Sequence, residues 1–123
     1  MDKKKEFQFN LMKQGMISGG LSSLERLMLE CDFDEAQENL LYDILDRFSQ
    51  RSDFSYGELE REMEAAFGWS YQDVKGLIIS LHDDGRWSEV VYQYLKSNYQ
   101  AFDGRVSIEY EMIVKELKIS EKV

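Results

Sequence analysis

Residues 54–85 decide the fold and read FSYGELEREMEAAFGWSYQDVKGLIISLHDDG. The stretch contains two helix starts. Ser55 is followed three residues later by Glu58, and Ser70 is followed at the same distance by Asp73, which predicts a capping box at each start. Between these signals the apolar residues recur every three or four positions. The stretch therefore predicts two consecutive amphipathic helices.

Similar signals extend in both directions from this stretch. Ser22 and Asp34 predict two earlier helix starts, and Ser88 predicts a later one after a turn at residues 83–85. The chain also contains no proline, a residue that is costly inside helices. We therefore expect a mainly α-helical protein, folded as a compact bundle of five or six capped helices. The expected core residues are Leu41, Ile44, Leu45, Phe67, Leu77, Ile78, Leu81 and Leu95.

The two ends of the chain allow two interpretations. Residues 7–11 and 106–112 alternate apolar and polar side chains, which is typical of strands and would form a small terminal β-ribbon. Residues 109–119 also fit a helix. With 123 residues the chain has the length of a single domain. Within it we expect residues 1–20 to form a flexible N-terminal segment and residues 104–123 to form a tail.

Negative charge is concentrated in one part of the chain. The formal net charge is −9, and residues 21–64 alone carry thirteen acidic and four basic side chains. Four glutamates alternate along one predicted helix: Glu58, Glu60, Glu62 and Glu64. Such a face is either a solvated surface that favours solubility, a surface that meets a basic partner, or an imitation of phosphate charge.

The composition contains little that points to catalysis or metal binding. Cys31 is the only cysteine and His82 the only histidine, so a zinc site is not expected. A calcium loop beginning at Asp32 would need glycine at its sixth position, where the chain has Gln37. We therefore expect no enzymatic activity, no metal and no cofactor. The single cysteine favours a reducing, cytoplasmic location, and no apolar run is long enough to predict a membrane span.

Residues 55–85 also resemble the helix-turn-helix part of a winged-helix domain. Lys75 is the only basic residue of the helix that would enter DNA, and it is accompanied by Asp73, Asp83 and Asp84. DNA binding requires basic side chains that neutralise phosphates. Direct nucleic-acid binding is therefore not expected.

Three tyrosines lie beside the apolar stripes rather than within them. They are Tyr71, Tyr92 and Tyr99. Tyr92 and Tyr99 are seven residues apart and share a helix face. A tyrosine in such a position either packs locally or contributes to an interface, because its ring is apolar and its hydroxyl polar. The interface interpretation predicts a protein partner or a homodimer.

A set of apolar and capping residues carries a resemblance to a known family: Leu40, Ile44, Leu45, Phe54, Ser55, Tyr56, Leu59, Val74, Ile78, Leu81 and the run from Gly85 through Arg86, Trp87, Ser88 and Glu89 to Val90. Over about residues 27–99 the chain resembles the YhaI-like proteins, a small uncharacterised helical family of Bacillus and its relatives. The resemblance implies an all-α fold and a cytoplasmic bacterial setting, and it implies no activity.

Two functional hypotheses follow from these observations. The first is a non-enzymatic cytoplasmic module that interacts with, or regulates, another protein. The alternative is an acidic inhibitor, of phage origin, that mimics nucleic acid and occupies the groove of a nucleic-acid-binding enzyme.

Overall fold

The computed structural model describes residues 2–17 and 19–119, apart from the side chain of Ile17. These residues form seven helices and no strand: α1 (Lys3–Ile17), α2 (Ser23–Glu30), α3 (Glu35–Ser49), α4 (Tyr56–Phe67), α5 (Tyr71–Asp84), α6 (Ser88–Ala101) and α7 (Ile108–Glu116). The prediction of a mainly α-helical fold is confirmed, whereas the expected number of helices was too low by at least one.

Both segments in which the strand pattern was noted are helical, and for residues 109–119 the helical alternative agrees with α7. Residues 7–11 belong to α1 and residues 108–112 to α7, so the terminal β-ribbon is not confirmed. In α7 the buried residues Tyr110, Ile113 and Val114 have helical spacing, while Ile108 and Met112 are exposed apolar residues. Exposed apolar side chains on a helix produced the misleading period of two. The predicted flexibility of residues 1–20 stays a prediction.

The starts of α2 and α3 follow the predicted capping boxes. Ser22 accepts a hydrogen bond from the backbone N–H of Glu25 and its own N–H donates to the Glu25 carboxylate. Asp34 and Gln37 make the equivalent pair of bonds at the start of α3. These bonds satisfy N–H groups that have no partner within the helix.

The start of α4 has only half of the predicted box. The Ser55 hydroxyl accepts from the backbone N–H of Glu58 at 3.2 Å. The Glu58 carboxylate accepts from Arg51 at 2.7 Å, so its side chain does not turn back to Ser55. At α5 the Asp73 carboxylate accepts from the backbone N–H of Ser70 at 2.9 Å, as predicted.

The start of α6 differs from the prediction. Its N-cap is Trp87, which has a left-handed backbone with φ of 48°, and Ser88 is already helical. Such a conformation is unfavourable for a bulky residue. It is held by the Trp87 indole N–H, which donates to Asp46 at 2.9 Å, and by packing of the ring against Tyr42 and Arg86.

The predicted turn before α6 is shorter than expected because Asp83 and Asp84 belong to α5. Gly85 alone adopts the left-handed conformation that ends this helix. The Asp84 carboxylate accepts the backbone N–H groups of Ser23 and Leu24 at 3.0 and 2.9 Å. The last residue of α5 therefore caps the start of α2.

The core is assembled around α5, which packs against α2, α4, α6 and α7. Seven of the eight predicted core residues are buried, and the exception is Phe67. Phe67 is half-buried at the end of α4, where its ring packs against Phe33 and Trp69 at 4.9 Å from each. Elsewhere in the bundle, aromatic residues of α4, α6 and α7 lie close to one face of α5.

Candidate functional site

A cleft of about 270 Å³ opens between α4, α5, α6 and the segment that leads into α7. Each of the first three helices contributes an aromatic residue and, four positions later, a polar residue. Residues with this spacing lie on the same side of a helix. The three pairs are Tyr56 with Glu60, Tyr71 with Lys75, and Tyr94 with Asn98. The remaining wall consists of Phe102, Arg105, Ser107 and Tyr110.

The aromatic rings of the cleft contact each other in a chain. The Tyr94 ring lies edge-on to both Tyr56 and Tyr110, with centroids 6.3 and 6.0 Å away. The Tyr56 ring is 5.6 Å from that of Phe102. Edge-to-face contacts of this kind are favourable for aromatic side chains. The cleft thus has a continuous aromatic wall.

Two buried phenols of this wall have different hydrogen bonding. The Tyr94 hydroxyl donates to the Glu60 carboxylate at 2.6 Å. The Tyr110 hydroxyl is buried and interacts with the Tyr94 hydroxyl, although the contact does not have the geometry of a normal hydrogen bond. Burial is the main reason that the pKa of each phenol lies well above its ordinary value, and the negative charge of Glu60 acts in the same direction. Both phenols are therefore neutral near pH 7 and keep their hydrogen.

A second buried hydroxyl belongs to Ser107, the N-cap of α7. Its oxygen also has no hydrogen bond of normal geometry within the structure as described. The neighbouring Glu109 carboxyl has a lowered pKa, chiefly because of its own backbone N–H and secondarily because of Lys75 and Ser107. The Ser107 hydroxyl therefore acts on the Glu109 carboxylate, and the hydroxyl oxygens of Ser107 and Tyr110 are both closed off from solvent.

Two cationic side chains lie at the cleft. The Lys75 ammonium is 3.4 Å from the Glu109 carboxylate and 6.0 Å from the centre of the Tyr71 ring. Most of the Lys75 side chain is buried, whereas that of Glu109 is about half exposed. Arg105 is exposed and forms no ion pair with any residue that the structure describes. The two cations are formally balanced by the carboxylates of Glu60 and Glu109.

The four predicted glutamates do not form one uniform exposed surface. Glu58 pairs with Arg51 and Glu62 pairs with Arg47. Glu60 faces the cleft, where it binds Tyr94. Glu64 is exposed. Arg47 and Arg51 lie in the preceding helix and loop, so the spacing of the glutamates along α4 does not show that they pair with these arginines.

Of the three predicted tyrosines, only Tyr71 lies at the cleft. Tyr92 is half-buried beside a separate shallow groove near Arg51 and Lys96. Tyr99 is half-buried and packs close to Gly104. Both tyrosines contact the core, and their role in a homodimer stays a prediction.

Sequence reasoning missed most of the cleft: Tyr56, Lys75, Tyr94, Asn98, Phe102, Arg105, Ser107 and Tyr110. Three aromatic–polar pairs with a spacing of four were the available signal. That spacing occurs in many helices, and only the packing of α4, α5 and α6 shows that the pairs meet.

Other candidate sites are less developed. His82 lies 2.7 Å from the Glu116 carboxylate at the end of α5, and Cys31 is half-buried at the end of α2, where burial raises the pKa of its thiol. Within residues 2–17 and 19–119 no three His, Cys, Asp or Glu side chains are grouped in a way that would hold a metal ion. In the same residues no helix has the length and apolar character of a membrane span.

Comparison with known protein families, with curated proteins and with solved structures finds no match to this chain. The resemblance to the YhaI-like proteins therefore stays an expectation from the sequence.

Proposed function

We propose that this protein is a non-enzymatic module that binds another protein through the tyrosine-lined cleft between α4, α5, α6 and α7. The observation that carries the proposal is a pair of exposed aromatic side chains, Tyr71 and Phe102, that line this cleft beside buried tyrosine rings. Apolar groups of a partner that cover these rings would remove them from water.

The size of the cleft is compatible with an anchoring side chain of a partner. Pockets for small molecules typically have volumes of about 300–1,000 Å³. The present cleft, at about 270 Å³, is close to the lower end of that range. Interfaces commonly depend on a few anchors that fill such pockets.

Exposed aromatic side chains form part of the cleft. Tyr71 and Phe102 line the cleft while remaining 62% and 47% exposed. Ile108 and Met112 are also exposed, but they lie two positions before and after Tyr110 and therefore on another side of α7. Large exposed apolar residues are typical of interaction sites. Tyr71 and Phe102 therefore supply contact area for a partner.

The cytoplasmic location and the alternative function as an acidic inhibitor are also proposals, and they do not have equal support. A single cysteine supports the reducing cytoplasm. The inhibitor alternative is weakened, because arginines neutralise Glu58 and Glu62 and Glu60 is turned into the cleft.

Affinity capture with the purified protein as bait tests the proposal. The test variant is Tyr71→Ser with Phe102→Ser, which removes the two exposed aromatic side chains of the cleft. The control is Leu40→Ser with Met16→Ser, which removes two exposed apolar residues from α3 and α1. We expect the wild type and the control to retain the same partner and the test variant to lose it. Equal retention by all three baits, or no specific partner for the wild type, would contradict the proposal.

A further inference from the structure

We propose that the cleft binds helix α1 of a second copy of this chain, so that the apolar outer face of α1 covers the exposed rings of Tyr71 and Phe102. This inference rests on the proposed function, because it names the partner of the same cleft. Two exposed apolar surfaces of one chain would then remove each other from water.

Helix α1 has an apolar outer face that the bundle does not cover. Leu11 is buried and Phe7 packs against the core, so these two residues belong to the inner face. Phe9, Met12 and Met16 have the spacing of a single helix face, and they remain 52%, 46% and 85% exposed. Three large apolar side chains grouped on one exposed face are typical of an interaction surface.

The outer face of α1 does not lie over the cleft of its own chain. Lys4 donates to the Asp32 carboxylate at 2.7 Å. Gln8 donates to Asp32 and to the backbone carbonyl of Phe33 at 3.0 and 2.9 Å. These bonds hold the inner face of α1 near α3, and no described residue of α1 or α3 lines the cleft. An α1 that enters a cleft therefore comes from another copy.

The charge of α1 fits the helices around the cleft. Among the helices of the described residues, α1 alone has more basic than acidic side chains, with four lysines and one glutamate. By contrast, α4 has four glutamates and one arginine, and α5 and α7 each have three acidic side chains and one lysine. Opposite charge on two surfaces favours their encounter and selects the partner.

Two lysines and one glutamate are placed to add ion pairs at this contact. Lys5 and Lys13 lie four residues before and after Phe9, and both are exposed. On α4, Glu64 is exposed one turn after Glu60, which lines the cleft. None of the two lysines and Glu64 forms an ion pair with a residue that the structure describes. Pairing between copies would therefore leave the ion pairs within each copy intact.

The shape of the two surfaces also agrees with this contact. The cleft, at about 270 Å³, is compatible with a single aromatic anchor such as Phe9. Met12 and Met16 have flexible side chains, and their sulfur atoms make favourable contacts with aromatic rings such as those of Tyr71 and Phe102. Because the contact joins two different surfaces, two copies related by a two-fold axis make it twice.

Sedimentation equilibrium of the full chain tests the inference with two double variants. Phe9→Ser with Met12→Ser changes the outer face of α1, and Tyr71→Ser with Phe102→Ser changes the cleft. We expect the wild type to associate and each variant alone to associate at least about tenfold more weakly, because every contact lacks one of its surfaces. An equimolar mixture should associate more tightly than either variant, since one variant supplies an intact cleft and the other an intact α1.

The control is Ile108→Ser with Met112→Ser, which removes two exposed apolar residues outside the cleft and should associate like the wild type. Thermal melting by circular dichroism shows whether each variant is folded, and Tyr71→Ser alone replaces the cleft variant if loss of Phe102 unfolds it. A wild type that is monomeric at its highest soluble concentration would overturn the inference. A mixture that associates no more tightly than its separate components would also overturn it.

A charge reversal tests the orientation of α1 independently of the apolar contact. Lys13→Glu should weaken association by about tenfold, because a like charge then faces the acidic helices around the cleft. Lys115→Glu, on the exposed side of α7, changes the net charge by the same amount and is the matched control. Equal weakening by the two variants would overturn the inference.

The two proposals fail in different ways. If the wild type is monomeric but its cleft captures a different protein, the inference is wrong and the proposed function stands. If the cleft variant retains both self-association and every captured partner, the proposed function itself is wrong. If the inference is correct, the captured partner is the chain itself, and the Leu40→Ser with Met16→Ser bait also retains it because its cleft is intact.

Discussion

Tyr94 and Tyr110 have the same side chain and nearly the same burial, with 2% and 4% exposure, yet they have different energetic roles. Tyr94 donates to the Glu60 carboxylate, so its hydroxyl is satisfied and the carboxylate gains a donor. The Tyr110 hydroxyl is equally buried but has only a contact of poor geometry with the Tyr94 hydroxyl. A buried hydroxyl without a well-formed hydrogen bond contributes little to stability.

Replacement of each tyrosine by phenylalanine should separate these roles. Tyr94→Phe should lower the free energy of unfolding by about 1–2 kcal/mol, because Glu60 loses a donor in a partly buried position. Tyr110→Phe should change it by less than about 0.5 kcal/mol, because only the weak contact with Tyr94 is lost. Urea denaturation at pH 7 measures both. Equal destabilisation by the two changes would contradict the assigned contacts.

At the scale of the element, the helices were predictable where the signal is local. The boxes of Ser22 and Asp34 need only residues three positions apart, so sequence determines them. The box at Ser55 failed because Glu58 binds Arg51, which depends on the path of the preceding loop. Likewise, Ser88 was misplaced because tertiary contacts hold Trp87 in a left-handed conformation.

The half-formed cap of α4 gives a test of this local account. Ser55→Ala should lower the free energy of unfolding by about 0.5–2 kcal/mol, since the N–H of Glu58 loses its acceptor. Ser52→Ala, in the exposed loop before α4, is the matched control and should have no measurable effect. Thermal denaturation of both variants is the measurement, and equal melting temperatures would contradict the assigned cap.

The cap of α2 by α5 is a tertiary contact that sequence reasoning did not foresee. Asp84 accepts two backbone N–H groups at the start of α2, and its negative charge is favourable there. Asp84→Ala should therefore cost about 1–2 kcal/mol of unfolding free energy. Asp83→Ala is the control, because Asp83 is exposed and makes only a 3.4 Å contact with Ser23. A loss of similar size in both variants, measured with urea, would speak against this cap.

At the scale of the whole molecule, the buried side of the helices was predictable and the cleft was not. The apolar period identifies residues such as Leu77 and Ile78 as core from sequence alone. Tyr56 and Tyr110 lie 54 positions apart, on helices that both pack around the same end of the bundle. No local sequence pattern shows that residues of α4 and α7 line the same cleft. The site could therefore be recognised only once the packing was known.

The buried phenols also determine how the whole molecule responds to alkaline pH. In the unfolded chain tyrosines ionise near pH 10. In the fold, burial raises the pKa of Tyr94 and Tyr110 well above that value, so the folded protein retains two protons that the unfolded chain has lost. The unfolded state then binds fewer protons, which makes the slope of stability with pH negative. This contribution is fully present below about pH 10 and is lost above it, at about 1.4 kcal/mol per pH unit for each phenol.

We therefore expect the free energy of unfolding to decrease steeply above about pH 10, and the decrease to be smaller in Tyr110→Phe, which removes one of the two phenols. The wild type and this variant should coincide near pH 8 and diverge above pH 10, with the wild type the less stable. Tyr71→Phe is the control, because Tyr71 is 62% exposed and its curve should follow the wild type. Urea denaturation at a series of pH values, with tyrosinate absorbance recorded alongside, measures both quantities. Parallel curves for the wild type and Tyr110→Phe would mean that Tyr110 ionises like an exposed phenol. A phenol that ionises so readily would not be buried in the way that the structure places Tyr110.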